Sequence, residues 1–308
     1  MAADIRGQRC ADDVCMTNTR IPISVAVPTC RRFAQLRVTL QRLHACLPPP
    51  AEILVHLDGN DGALRDLVQI EFPGVRLLHS EILMGPGGAR NRMMQEARYS
   101  WVAHFDDDSF PNDIDYFARA WSLITRLPET AVFCASILPM ESHDAQGLWL
   151  QAVYPGCGHL MSRDWFLRTR GYLPIPIAYN LEEVDVGIQL HAMGGRCLQS
   201  GELRVFHDHL PPVREDEKTQ VGMMINTVLF PLLRYPLPLL PQACGSVMRR
   251  LFRLAWRQEW RVITRALCML PAAIRRYLPQ RAPVSTAAAW SWLLLRRVPQ
   301  RVRVSASV

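Results

Sequence analysis

Three consecutive carboxylates, Asp106-Asp107-Asp108, close the apolar run Trp101–Phe105. Side chains alternate at a strand end, so Asp106 and Asp108 face one side. Two hard carboxylates there form half a site for Mg²⁺ or Mn²⁺, which keeps its other positions for water and substrate phosphates. A solvated acidic turn, with Asp108-Ser109 capping a following helix, is the competing explanation. Gly85-Pro86-Gly87-Gly88 precedes Ala89-Arg90-Asn91 and reads as a loop entering a helix N-terminus. Free N–H groups and the dipole attract an anion there, and Arg90 adds a cation for a diphosphate or carboxylate. The loop is neither GxGxxG nor a Walker loop, so a structural turn competes. Asn180-Leu181-Glu182-Glu183-Val184-Asp185 opens an amphipathic helix that Asn180 can cap and Gly194-Gly195 ends. The helix dipole alone favours acids in a first turn. A carboxylate that stays ionised near neutral pH also suits a general base for a hydroxyl. His207-Asp208-His209 follows the β-like run Leu203–Phe206 and could bring an imidazole to a metal, although most surface histidine pairs are inert.

These groups need a scaffold, and the apolar pattern supplies one. Ile23–Val27, Ile53–Leu57, Val75–His79 and Trp101–Phe105 read as short buried strands. Helical spacing falls between them, at Phe33, Leu36, Leu40 and Leu43, in a short segment after Gly62, and from Ala89 to about Arg98. Strands alternating with helices imply an α/β fold, a Rossmann-like, mostly parallel sheet flanked by helices. Ligands bind outside the carboxyl ends of such strands. Pro28-Thr29, Asp58-Gly59-Asn60 and the three aspartates all stand there.

Taken in order, these segments resemble the family 2 inverting glycosyltransferases of GT-A fold. The matching pieces are Val27-Pro28-Thr29-Cys30-Arg31-Arg32, Asp58-Gly59-Asn60, Gly88-Ala89-Arg90-Asn91, Phe105-Asp106-Asp107-Asp108, Gly156-Cys157-Gly158 with Met161-Ser162-Arg163, Glu182-Glu183-Val184-Asp185 and the histidine pair. The resemblance covers about residues 21–240, and its specificity lies in the ordered set. It implies that Pro28, Thr29 and Arg31 line the nucleotide pocket, that Asp58 meets the base, and that Arg90 lies on the ribose and diphosphate side, with Asp106 and Asp107 on the nucleotide. Asp106 and Asp108 would hold the metal, Asp108 most directly, helped by His207. Gly156, Cys157 and Gly158 would shape the acceptor side. Glu183 falls where the family usually has an aspartate base; Glu182 is the reserve, and Asp185 completes the acidic set. The implied reaction is a single displacement with inversion. A sugar would move from a nucleotide-diphosphate donor to a hydroxyl acceptor, with Mg²⁺ or Mn²⁺ as cofactor. A membrane-docked sugar-nucleotide binder without turnover is one alternative. A nucleotidyltransferase is another, disfavoured because no glycine-rich loop follows the first strand.

Charge divides the chain. The formal net charge is +7 over 308 residues, yet the segment from Arg249 onward holds 13 Arg and one acid, Glu259, so the first 248 residues carry −5. Arg249, Arg250, Arg253, Arg257 and Arg261 recur at helical steps with Trp256 and Trp260 near the boundary. That pattern predicts a basic amphipathic helical tail over 241–308, broken at Pro271, lying on an anionic membrane surface. A nucleic-acid partner would waste the interleaved apolar residues. No apolar run is long enough to span a bilayer. The tail therefore points to a lipid-linked or cell-surface polysaccharide acceptor at the inner leaflet. Hydrophobic residues are 49% and charged residues 20%, which excludes a disordered or fibrous chain. The nine cysteines show no zinc spacing and are too sparse for a disulfide scaffold. Residues 1–20 read as a disordered leader without a secretory apolar core, which places the chain in the cytoplasm, peripheral to the inner face of the plasma membrane. Three parts are expected after the leader: a nucleotide half at 21–126, an acceptor half at 127–240, and the tail.

Overall fold

A computed structural model describes residues 20–138, 147–175, 181–208 and 216–302. Residues 1–19 of the expected leader at 1–20, the capping Asn180 and the second histidine, His209, lie outside the described residues. The chain begins with β1 (Ile21–Thr29), α1 (Phe33–His44), β2 (Pro50–Asp58), α2 (Gly62–Glu71), β3 (Arg76–Ser80), α3 (Gly85–Glu96) and β4 (Trp101–His104). β5 (Ser109–Pro111), α4 (Tyr116–Arg126), β6 (Thr130–Leu138), β7 (Leu148–Gln151), β8 (His159–Ser162) and α5 (Arg163–Leu167) follow. Then come α6 (Glu182–Ala192), β9 (Arg196–His207), α7 (Glu217–Arg234), α8 (Leu240–Trp256), α9 (Trp260–Tyr277), α10 (Thr286–Arg297) and β10 (Gln300–Val302).

One sheet joins them in the order β10-β7-β9-β6-β8-β4-β1-β2-β3, with β5 on β9. The half β4-β1-β2-β3 is wholly parallel, while β8 runs antiparallel to both β4 and β6. This is the expected α/β architecture. Strand alternation divides the core. Val25, Val27, Ile53 and Val55 pack towards α1, α2 and α4. Ala26, Leu54 and Val102 pack on the other face, with Met93 of α3, Phe166 of α5 and Val186 of α6. Both faces are covered, which is why these strands read as unbroken apolar runs.

The C-terminal segment folds against the body. Leu233 of α7, Leu254 of α8, Val262 and Ala266 of α9, and Trp292 of α10 form one core with Val184 and Ile188 of α6. The indole of Trp292 donates to the carbonyl of Ala152 at 2.8 Å, and β10 pairs with β7. The continuous helix expected around Arg249–Ile263 is two helices. α8 ends at Trp256, Gln258 turns with φ 58°, and α9 starts at Trp260. Pro271 does not break α9, which continues to Tyr277. The ring removes one backbone donor, and the packed face on either side holds the helix together.

Candidate active site

The site lies where β1, β2 and β4 end. The glycine segment differs from its expected form: Gly85–Gly88 is the first turn of α3, not a loop before it. The reason is Asp58, whose Oδ1 accepts from Met84 N at 2.8 Å and whose Oδ2 accepts from Gly85 N at 2.9 Å. Ser80 Oγ also donates to Asp58 Oδ1, at 3.0 Å. The carboxylate takes the place at this helix N-terminus that an anion was expected to fill. Asp58 thereby ties β2 and β3 to α3. Pro28 pairs with His56 in the β1–β2 ladder, and Arg31 follows it, exposed, with φ 58°.

The three aspartates point to three places. Asp107 turns inward, 5% exposed, and accepts from Thr29 Oγ1 at 2.8 Å; Arg32 Nη1 sits 2.7 Å from its other oxygen. Burial pushes this carboxyl up to about 7, against the pull of Thr29 and Arg32. It is a tie between strand ends, which departs from its expected place on the nucleotide. Asp108 accepts from Arg32 Nη2 at 2.7 Å and lies 3.2 Å from His207 Nε2. Burial would raise it, but His207 and Arg32 outweigh that and hold it below its ordinary value. Asp106 accepts from Arg90 Nη2 at 2.6 Å. Asp106, His207 and Cys157 each present one ligand atom, all within 4.8 Å of one another. A carboxylate, an imidazole and a thiol at that spacing fit a divalent cation, with Asp108 alongside.

Cys157 was expected on the acceptor side. Its Sγ instead faces the metal side, 3.6 Å from His207 Nδ1. Burial raises this thiol, and Asp106 adds to the push. Gly156, by contrast, lies against α6: a Cβ there would stand 2.7 Å from Glu183 Oε1. Gly158 has φ 69°, a conformation glycine adopts freely, and a Cβ there would meet Ile137 at 2.8 Å.

Helical geometry separates the three acids of α6, since each residue turns ~100°. Glu182 is 4% exposed and accepts from Arg90 Nη1 at 3.0 Å. Burial pushes it up to about 8, with Arg90 opposing. Gly87 lets it fit, because a Cβ there would lie 2.5 Å from Glu182 Oε1. Asp185 is fully buried on the other side, with Arg234 Nε 2.5 Å from its Oδ1. That corrects its place in the catalytic set: Asp185 holds α6 to α7 and has no access to a substrate. Glu183 alone of the three is partly open to solvent. Arg90, 3% exposed, bridges Asp106 and Glu182 and so joins the cation side of the cleft to the first turn of α6.

Residues 24–168 match the family described as Glycosyl transferase family 2. The chain carries a glycosyl transferase family 2 domain. The match takes in β1 through α5, with Thr29, Asp58, Arg90 and the aspartates; α6 and the C-terminal helices lie beyond it. Solved structures agree on the GT-A fold. The mannosyltransferase PcManGT from Pyrobaculum calidifontis, in complex with GDP-Man and Mn²⁺, is 15% identical over 91% of this chain and 88% of its own, with TM-score 0.56. GalNAc-T7 with UDP, GalNAc and Mn²⁺ is 14% identical over 73% of this chain and 49% of its own, with TM-score 0.56. S. aureus TarS 1–349 in complex with UDP-GlcNAc is 13% identical over 75% of this chain and 72% of its own, with TM-score 0.51. A search of curated proteins returned no match.

Arg32 and Arg234 escaped the sequence reading as functional residues. Arg32 stands directly after the β1 end, which was the available signal. Arg234 gave none, being 49 residues from Asp185.

Proposed function

We propose that this glycosyltransferase moves a sugar from a nucleotide-diphosphate donor to a hydroxyl acceptor by one displacement, with inversion. The observation that carries the reading is the placement of Glu183. It is the one acid of the α6 first turn left partly open, it lies against Gly156, and Arg90 links its neighbour Glu182 to Asp106. Glu183 takes the acceptor proton as the hydroxyl oxygen attacks the anomeric carbon. Asp106, Asp108 and His207 would hold Mg²⁺ or Mn²⁺, which when bound would supply positive charge against that growing on the diphosphate leaving group. Arg32 stays with Asp108 and keeps that carboxylate ionised for its role. The nucleotide lies along the β1 end, by Pro28, Thr29 and Arg31. The related structures with GDP-Man, UDP and UDP-GlcNAc support a nucleotide-sugar donor. A thermal-shift panel of UDP-, GDP- and dTDP-sugars with Mn²⁺ identifies the donor. Glu183→Gln should then keep donor binding and lose ~10²–10⁴-fold in turnover. Turnover within threefold of wild type refutes Glu183 as the base.

We further infer that the protein works peripherally on an anionic membrane, at the cytoplasmic face, on a lipid-linked or cell-surface polysaccharide acceptor. No helix among the described residues is long and apolar enough to cross a bilayer. The inner faces of α8 and α9 are occupied by their own core, yet Met248, Phe252 and Trp256 are 63%, 68% and 80% exposed along one stripe of α8, and Trp260 is 58% exposed at the corner after it. Arg249, Arg253, Arg257 and Arg261 flank the stripe, all exposed. Such a patch matches the headgroup boundary of an anionic bilayer. Because α8–α10 share a core with α6, deleting them would unfold the body. The paired change F252S/W256S is the cleaner perturbation. It should abolish sedimentation with phosphatidylglycerol vesicles while leaving the unfolding midpoint in place; unchanged sedimentation refutes the docking.

A further inference from the structure

We propose that the thiolate of Cys157 is itself a ligand of the divalent cation in this site, which makes it a mixed hard–soft centre selective for Mn²⁺, Co²⁺ or Zn²⁺ over Mg²⁺. The inference rests on the cation reading above and adds to it a donor that the expected pair of aspartates and histidine lacks. Three observations carry it. First, Cys157 Sγ, Asp106 and a nitrogen of His207 lie mutually within 4.8 Å, close enough for small side-chain shifts to bring all three onto one ion with metal–ligand bonds of ~2.0–2.3 Å. Second, the side chain is held in that direction. Gly158 N donates to His104 O at 2.8 Å and Ala135 N donates to Gly158 O at 2.8 Å, so β4 and β6 pin the residue that follows Cys157. Gly158 at φ 69° completes the bend. Third, the imidazole of His207 is fixed from both ends: Nδ1 lies 3.6 Å from Cys157 Sγ and Nε2 lies 3.2 Å from Asp108 Oδ1. The ring therefore sits between a thiol and a carboxylate, with Cys157 only 4% exposed behind it.

Coordination by sulfur is balanced simply. The cation binds the sulfur lone pair, the S–H bond breaks, and the proton leaves to solvent, one per ion bound. No oxidant is needed. Thiolate is a soft donor that Mg²⁺ refuses in favour of oxygen, whereas Mn²⁺, Co²⁺ and Zn²⁺ accept it increasingly well. The residue thus shifts the choice of metal without touching the sugar.

The test titrates Co²⁺ into the full chain and follows thiolate-to-cobalt charge transfer in the near ultraviolet, with calorimetry counting ions bound. The unaltered protein should develop the band and saturate with one ion; Zn²⁺ should erase it and Mg²⁺ at equal concentration should not. C157S should bind Co²⁺ at least about tenfold more weakly, without the band, and should bind Mg²⁺ as before. Exposed Cys30, Cys244 and Cys268 remain in that variant, so a band they caused would persist and overturn the proposal. Cobalt binding to the unaltered protein without any band overturns the thiolate alone and leaves the cation reading standing. No binding of Co²⁺, Mn²⁺ or Mg²⁺ overturns both.

Discussion

Arg234→Met tests how α6 is held. The guanidinium is 1% exposed; Nε lies 2.5 Å from Asp185 Oδ1, Nη2 lies 3.0 Å from Oδ2, and Nη1 donates to Gln280 O at 2.9 Å. Asp185 is fully buried, so removing its cation strands a carboxylate in the interior, at a cost of about 3–5 kcal/mol. At ~2–4 °C per kcal/mol the melting temperature should drop by about 10 °C. Replacing both partners, as in D185L/R234M, removes the stranded charge as well as the pair. The double variant should therefore be more stable than R234M. The sign with pH follows from Asp185, which burial pushes up to about 6 even with Arg234 opposing. A carboxyl raised in the fold favours folding in acid and loses that contribution as pH climbs through its folded value. Without Arg234 that value climbs further, so the deficit of R234M should be larger at pH 8 than at pH 5. Urea unfolding followed by tryptophan fluorescence at both pH values measures the unaltered protein, D185L, R234M and the double variant. A cost below about 1 kcal/mol for R234M, or a double variant as unstable as the two single losses added, refutes the ion pair as the tether of α6.

Gly156→Ala puts a methyl 2.7 Å from Glu183 Oε1, so turnover should fall at least about tenfold with little change in melting temperature; equal loss of both would mean the glycine serves folding only. Thr29→Val removes the 2.8 Å donor to buried Asp107 and should cost about 1–3 kcal/mol in urea unfolding. His104 and His159 stack at 4.5 Å between centroids, and burial holds both well below their ordinary value. The unfolded chain takes up protons below pH ~6.5 and the fold resists, so stability falls with acid by up to about 1.4 kcal/mol per pH unit per ring. His159→Phe should flatten that slope between pH 6.5 and 5. The difference between the two proteins isolates His159 from Asp107, Glu182 and Asp185, which act in the opposite sense.

The strands were legible because burial on both faces writes unbroken apolar runs, as in Val25-Ala26-Val27 and Leu54-Val55. Helix boundaries set by distant groups were not. Gly85–Gly88 looked like a loop because its cap, Asp58, lies 27 residues from Gly85. The acids of α6 were indistinguishable for the same reason. The partner of Glu182 is 92 residues away and that of Asp185 is 49, so no local pattern says which acids are buried on a cation. Amphipathy in the C-terminal segment was read correctly as helix, but its inner face found α6 and α7 and only one stripe stayed outside.

Charge accounting at the cleft explains why its parts stand where they do. Asp106, Asp107, Asp108, Glu182 and Glu183 converge there, and Arg32 and Arg90 pair with the first four. Each arginine spans two carboxylates, Arg32 on Asp107 and Asp108, Arg90 on Asp106 and Glu182. Two guanidiniums shared among four carboxylates leave negative charge at the cleft. The strain shows in the buried members: Asp107 is pushed up to about 7 and Glu182 to about 8, by burial first and then by neighbouring carboxylates. Asp108, where His207 and Arg32 converge, is held low instead. A divalent cation at the proposed site beside Asp106 and Asp108 would relieve this excess while each arginine keeps both of its carboxylates. Glu183, one residue along α6 from the Arg90 bridge, is the acid of that turn that stays partly open to solvent, which is where the proposed base has to stand.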